Sequence, residues 1–362
     1  MLPTPSDFPS AQPRPVKEQA NHIGMRLEDA LHSYREGRAR KRGEVQTVLP
    51  FTGYGTTGWV RVLGRVILAK PGSAAGASSA GTQVIRDGIR GWRNFMSPPI
   101  NSAKVTVEIG GESHIVTADR GGVVDVVLPV QLEPGWTSVT LCSEDSEAAV
   151  APVYIVDPGA TVGVVSDIDD TVMVTALPRP FLAAWNTFVL DEHARTPTPG
   201  MAVMMDRLAR ENPGSPVLYL STGAWNVAAT LTRFITRNLY PAGPLLLTDW
   251  GPTRDRWFRS GSEHKKTQLE RLAKEFPHIK WLLIGDNGQH DEAIYAAFAQ
   301  QYPDSVRAIA IRQLSAGEAV LAGGRSASRA GERPSDIPWI YAPDGAGMAR
   351  QLTELGLLPE AG

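Results

Sequence analysis

The sequence predicts a two-part α/β molecule, an all-β sandwich followed by a doubly wound parallel sheet. Three observations predict it. Residues 46–157 break into short runs of alternating apolar and polar residues bounded by turns. After "DPGAT", residues 157–161, apolar strands alternate with helical patterns, and such βα repetition implies parallel strands covered on both faces. Three of those apolar runs end in Asp167, Ser221 and Asp286, and open parallel sheets bind ligands beyond the carboxyl ends of their strands.

Taken in order, residues 1–45 form a Pro-rich and basic N-terminal segment. The first 16 residues are expected to be disordered, and a helix is expected over 16–42 from the imperfect apolar face of Ile23, Met25, Leu27, Ala30, Leu31 and Tyr34. The segment closes on a basic run with Arg35, Arg38, Arg40, Lys41 and Arg42. The ordinary reading of such a run is a solvated linker; the sharper one is a contact with an anionic membrane surface.

Residues 46–157 supply the strands of the smaller sandwich, "GWVRVLGRVIL", "AKVTVEI", "ESHIVTAD", "GVVDVVLPV" and "WTSVTLCS", with "IGGE" and "DRGG" as hairpin turns. The stretch 72–82 is a flexible loop by composition. No cluster in this part carries evident chemistry. Residues 158–362 form the third part. Its strands are "TVGVVSD", "PVLYLST", "PLLLTDW", "KWLLIGD" and "VRAIAIR". Helices are expected near 200–211, 224–238, 263–275 and 290–301, and a short one near 345–355.

Bulk properties bound the function. Hydrophobic residues make up 42%, charged residues 20%, and the net charge is −2. That composition is globular and argues against a nucleic-acid partner. Cys142 is the only cysteine, which precludes an intrachain disulfide and fits a reducing compartment. The opening "MLPTPSDFPSAQPRPVK" lacks a signal-peptide layout, and there is no apolar run of about 18 residues. The expected location is cytoplasmic, with peripheral membrane contact as the alternative.

The stretch "TVGVVSDIDDTVMV", residues 161–174, aims an apolar strand at Asp167, Asp169 and Asp170. Crowded, buried carboxylates are costly unless something positive joins them. Of Asp167 and Asp169, spaced to point one way from an extended segment, one can attack phosphorus and the other can carry a proton to the leaving oxygen. Mg2+ suits an all-oxygen site and bridges carboxylate to phosphate. Asp286 and Asp291 supply the opposite wall. A Ca2+-binding EF-hand loop is excluded because Val172 stands where that loop needs glycine. D-x-D-x-T alone is weak evidence, since chance produces it.

Ser221 and Thr222 offer hydroxyls to a phosphate oxygen, or simply cap the next helix. "SGSEHKKTQLERLAKEF" starts a helix with Ser262 as the expected cap, so Lys265 and Lys266 fall in the first turn, where cations are disfavoured. Such a broken local rule points to use, one lysine neutralising nucleophile and phosphoryl group, against the ordinary reading of an exposed pair. The segment 173–196 is long enough for a small cap. In it Phe181, Trp185 and Phe188 sit at helical spacing as packing or as a bilayer-dipping surface. Arg195 could clamp a phosphate or serve an ordinary surface role. His193, His264 and His290 lack metal-ligand spacing.

"DIDDT", Ser221, a later helical lysine and "GDNGQHD" occur in the order found in haloacid-dehalogenase-superfamily phosphatases. "SDIDDTV", "LYLSTGAWN", "YPAGPLLLTDWG", "EHK" and "LLIGDNGQHDEAIY" resemble more narrowly the phosphatidate phosphatase family of the yeast actin-patch protein, which is related to the lipins. The resemblance spans about 160–312, and the preceding β-rich segment looks like that of bacterial members. It implies a haloacid-dehalogenase-like fold and a Mg2+-dependent phosphoric monoester hydrolase with Asp167 as nucleophile, Asp169 as acid/base and Thr171 orienting the loop. Ser221 and Lys265 would hold the phosphate. Asp167, the Asp169 carbonyl and Asp286 would hold the metal, with Asp291 supporting. Gly223-Ala224 departs from the Ser-Pro of better-known members, which bears on substrate fit. By resemblance the substrate is phosphatidate and the product diacylglycerol, in lipid metabolism. The rivals are a soluble phosphomonoester and a phospholipid-binding module without turnover.

Overall fold

The computed structural model describes residues 34, 36–71, 97–144, 146–174, 196–248, 254–288, 290–321 and 336–360. The Pro-rich start, the 72–82 loop and most of the 173–196 segment, with Phe181, Trp185, Phe188, His193 and Arg195, lie outside the described residues. Of the helix expected over 16–42, the described part is helical at 36–41. In the basic run Arg40 pairs with Glu36 at 3.0 Å and Arg42 with Glu44 at 3.0 Å, so two of its cations are already matched by neighbours.

Seven strands form the first sheet: β1 (Val45–Thr56), β2 (Trp59–Ala69), β3 (Lys104–Ile109), β4 (Glu112–Thr117), β5 (Val123–Pro129), β6 (Gly135–Ser143) and β7 (Ala149–Ile155). Their order is β4-β3-β6-β7-β1-β2-β5, antiparallel except for the β1/β7 pair. The end strands β4 and β5 come back into contact, so the sheet is a nearly closed barrel. The second sheet is entirely parallel, in the order β12-β11-β8-β13-β14-β15. It comprises β8 (Val162–Asp167), β11 (Val217–Ala224), β12 (Leu245–Thr248), β13 (Lys280–Asp286), β14 (Val306–Arg312) and β15 (Trp339–Ala342). A small antiparallel ladder, β9 (Met173–Val174) with β10 (Thr196–Pro197), sits apart. The helices are α1 (Met201–Glu211), α2 (Ala228–Arg237), α3 (Arg254–Glu275), α4 (Asp291–Gln301), α5 (Ala316–Leu321) and α6 (Gly345–Glu354).

This corrects the expected fold class. The β-rich part is one mixed, curled sheet and not a sandwich of two. Alternation is the same in either arrangement, because period 2 reports two faces and not which strand is the neighbour. Nor is the whole a haloacid-dehalogenase-like doubly wound sheet with a sandwich in front: a near-barrel is joined to a separate all-parallel sheet. Strand–helix alternation reports parallel pairing but not the winding. Between β8 and α1 the chain makes the β9–β10 ladder. The six-residue α5, about 9 Å long, is too short to cover a strand.

Period 2 explains how the two parts join. Along β2, Val60, Val62, Val66 and Leu68 fill the near-barrel, whereas Leu63 points outward into the core beside the parallel sheet. Both faces of β2 are therefore buried. In the parallel sheet Val164, Leu282 and Ala310 face α1, α2 and α6, while Val165, Leu283 and Ile311 face α3 and α4. No described helix is long and apolar enough to cross a membrane.

Candidate active site

The register of β8 with its neighbours gathers the polar strand ends. Leu220 pairs with Asp167, which puts Ser221 one step beyond. Ile284 pairs with Ser166 and Asp286 with Arg312. Asp167, Ser221, Asp286 and Arg312 thus sit at one edge of the sheet, at the strand pair β8/β13 where the order reverses direction. All four are buried.

After Asp167 the chain turns sharply. The Ile168 carbonyl accepts from the N–H groups of Val172 and Met173 at 3.1 and 3.0 Å, and Ile168 and Val172 are fully buried. These two apolar anchors hold the loop down while Asp169, Asp170 and Thr171 point elsewhere. Asp170 has φ 59, a left-handed conformation that aspartate tolerates better than most residues. Arg312 Nη1 donates to the Asp170 carbonyl at 2.8 Å, and its other nitrogens bind the Pro343 carbonyl at 3.1 Å and Glu318 at 2.6 Å.

Lys265 enters from α3. Its Nζ donates to Asp167 Oδ1 at 2.6 Å and to Asp291 Oδ1 at 2.5 Å. The expected reason for its importance does not hold: α3 begins at Arg254, so Ser262 is not the cap and Lys265 lies mid-helix. Its burial follows from phase instead. Lys265, Leu269, Leu272 and Phe276 form one stripe facing the sheet, and all four are buried. The lysine is the stripe's polar end, at the sheet edge. Lys266 is exposed, 3.6 Å from Glu263.

Asp291 opens α4 and points back beneath β13. The approach requires Gly285: a Cβ there would lie 2.7 Å from Asp291 Oδ2 and 2.8 Å from the Tyr295 ring. Asp286 Oδ1 accepts from the Gly288 N–H at 2.6 Å. Ser221 Oγ donates to Asp169 Oδ2 at 2.9 Å and accepts from the Gly223 N–H at 3.0 Å. Ser221 therefore meets Asp169 directly, and neither it nor Thr222 is a helix cap, since both lie within β11. Thr222 turns toward α3, with Cγ2 only 3.0 Å from where a Cβ on Gly261 would stand. Thr171 is buried, and its hydroxyl finds no partner among the described residues. His264 Nε2 meets the Leu246 carbonyl at 3.3 Å, while His290 is exposed.

Asp167, Asp169, Asp170, Asp286 and Asp291 face only Lys265 and Arg312 as buried cations among the described residues. Burial pushes Asp167 well above the usual carboxylate range. Lys265 opposes this, and Asp291, Asp169 and Asp286 reinforce it. Burial and Asp291 raise Asp286 likewise. Burial alone would lower Lys265, yet Asp167 and Asp291 hold it above its ordinary value. The buried carboxylates outnumber the buried cations around them, so the site can take further positive charge. Oxygens of Asp167, Asp286 and Asp291 lie within 4.8 Å of one another, and Asp286 Oδ2 is buried with no hydrogen-bond partner among the described residues. An all-oxygen set of this kind fits a small hard cation. Asp169 lies outside that group of three.

Six of the anticipated residues thus converge: Asp167, Asp169, Ser221, Lys265, Asp286 and Asp291. Thr171 lies on the same loop, Thr222 faces away, and Arg195 is outside the described residues. Sequence reasoning missed Arg312, although the same signal marks it, a polar residue ending the apolar strand "VRAIAIR". A cleft of about 480 Å3 lined by Asn287, Arg312, Ser315 and Asp344 opens beside it.

Residues 162–313 match a family described as the catalytic domain of phosphatidate phosphatase APP1. The chain is 24% identical over 243 residues to phosphatidate phosphatase APP1 of Saccharomyces cerevisiae, covering 63% of this chain and 40% of that one. It is 27% identical over 183 residues to an uncharacterised protein of Schizosaccharomyces pombe, covering 48% and 28%. The chain thus spans well under half the length of these relatives. Among solved structures, a carbohydrate acetylesterase from Xanthomonas citri aligns at 10% identity and a TM-score of 0.28, over 86% of this chain and 75% of that one. That likeness is too low to carry an argument.

Proposed function

We propose, from the match of residues 162–313 to the family described as the catalytic domain of phosphatidate phosphatase APP1, that this chain is a Mg2+-dependent phosphatase that hydrolyses phosphatidate to diacylglycerol and phosphate. The observation that carries the reading is the ammonium of Lys265 between Asp167 and Asp291, at 2.6 and 2.5 Å. With Asp167 Oδ1 held by Lys265, Oδ2, which has no hydrogen-bond partner among the described residues, is the oxygen left to attack phosphorus. As the Oδ2–phosphorus bond forms, the bond to the leaving alcohol oxygen breaks, and Asp169 gives that oxygen a proton. Asp169 then takes a proton from water, whose oxygen displaces the Asp167 carboxylate from phosphorus and frees phosphate.

Asp169 suits this shuttling role. Its Oδ2 accepts from the hydroxyl of Ser221 at 2.9 Å, a group that can donate to the ionised acid and accept from the protonated one. Asp167, Asp286 and Asp291, with the Asp169 carbonyl, would hold Mg2+, which when bound draws charge from the phosphoryl oxygens. Lys265 stays protonated and offsets charge on the transferred group. A lipid substrate requires the chain to work at a membrane surface.

The test compares phosphate release from phosphatidate in mixed micelles with release from a panel of soluble phosphomonoesters, in Mg2+ and in EDTA. Mg2+-dependent release from micelles is expected, lost in Asp167→Asn and Asp169→Asn while circular dichroism is unchanged. Preference for a soluble ester would remove the lipid assignment and leave the chemistry. Micelle binding without release would support a lipid-binding module and end the enzyme proposal.

A further inference from the structure

Among the described residues the near-barrel has no reactive cluster of its own, yet it grips the helix that carries Lys265. Beside the sheet-facing stripe of α3 runs a second one, a residue earlier in each turn: His264, Gln268, Arg271 and Glu275. This stripe is polar and meets the near-barrel. Gln268 Oε1 accepts from Arg61 Nη1 at 3.0 Å. Glu275 Oε2 accepts from the Tyr54 hydroxyl at 2.7 Å, and Arg271 Nη1 lies 3.8 Å from Asp125.

Arg61 on β2 is the hub, and it is 2% exposed. Its Nε and Nη2 donate to the two oxygens of Asp125 at 2.7 and 2.6 Å, and its Nη1 donates to the Tyr54 hydroxyl at 2.8 Å. Every contact is directional, and the planar fork of arginine fixes several at once. Buried ion pairs add little net stability over apolar packing, so a network like this one serves better to specify a position. A second grip lies on the neighbouring arm: Phe51 of β1 stacks on Trp225 at 4.8 Å and 13°, four residues after Ser221.

We infer that the near-barrel is a positioning part of the active site. Arg61, acting through Gln268 one turn beyond Lys265, sets where α3 stands and so where the ammonium meets Asp167 and Asp291. The kinetic part of this inference rests on the phosphatase reading. The mechanical part does not.

The test uses the full chain with Gln268→Met and Tyr54→Phe, which remove links but keep shape. Val139→Ala is the control, buried in the near-barrel core away from α3. Hydrogen exchange is followed over 261–268 and over α4, alongside kcat and KM on micellar phosphatidate. Both link variants are expected to speed exchange over 261–268 about tenfold, leave α4 unchanged, and lower kcat about tenfold with KM unchanged. Val139→Ala should lower the Tm and change neither readout. Unchanged exchange over 261–268 in both link variants would overturn the inference, as would an equal fall in kcat in Val139→Ala. A wild-type protein that releases no phosphate would sink the phosphatase reading alone, because exchange still decides the positioning claim.

Discussion

Replacing Asp286 by Asn should stabilise the protein in EDTA and destabilise it, relative to wild type, in Mg2+. Asp286 is fully buried, with an oxygen within 4.8 Å of oxygens on Asp167 and Asp291. At that spacing each like-charge pair costs about 3 kcal/mol at an effective dielectric of about 20, and Lys265 offsets part of it. Protonation sets a ceiling. An acid that is ionised when unfolded and protonated when folded costs about 4 kcal/mol at neutral pH, 1.4 for each unit above about 3.9. A gain of about 2 kcal/mol for Asp286→Asn in EDTA lies between these bounds. The amide oxygen still accepts from the Gly288 N–H, so the substitution costs little locally.

The pH dependence has a definite sign. A carboxyl raised in the folded state costs nothing below its unfolded pKa, and the cost grows as pH rises toward the folded value. Wild-type protein in EDTA should therefore weaken from pH 4 to 7 more than the variant does. Mg2+ at 100 times its dissociation constant adds about 2.7 kcal/mol to a protein that binds it, so the order of stabilities reverses in Mg2+. Urea unfolding in both buffers measures this. A variant less stable than wild type in both would refute the reasoning, because no repulsion would then be relieved and no cation lost.

Arg312→Met leaves the Asp170 carbonyl and Glu318 without their shared partner; a loss of about 2–4 kcal/mol in stability is expected. Thermal unfolding reads that loss, and kcat should fall with it as the Asp169–Asp170 turn loosens. Burial lowers His264 to about 4, so stability is lost as pH falls from about 6.5 toward 4, where only the unfolded chain takes up the proton. His264→Gln should remove about 2 kcal/mol of that acid sensitivity, discounted for the ring's partial exposure, as read from urea midpoints at pH 7 and 4.5.

The site was legible because its logic is local to strand ends. Apolar runs terminating in Asp167, Ser221 and Asp286 say that those residues share an edge, whatever the order of the strands. Arg312 carried the same mark and went unread, since the strand ends were searched for carboxylates and hydroxyls while cations were sought on the helix and the cap segment. Lys265, picked from the pair, is the one buried among the carboxylates, but the local reason for picking it does not hold. The helix begins eight residues before Ser262, and the phase of Leu269, Leu272 and Phe276 was the informative pattern. The near-barrel was misread because alternation specifies faces and not neighbours. The stripe His264, Gln268, Arg271 and Glu275 is an ordinary solvated face by composition. Its pairing became visible only with Arg61 and Tyr54, more than 200 residues away, opposite it.

The central claim is that Asp167 takes the phosphoryl group. Rapid acid quench of enzyme turning over 32P-labelled phosphatidate tests it directly. The account predicts hydroxylamine-labile label on the peptide holding Asp167. That label should build up in Asp169→Asn and be absent from Asp167→Asn. Full phosphate release by Asp167→Asn, or turnover by wild-type enzyme with no label on that peptide at any quench time, would contradict it.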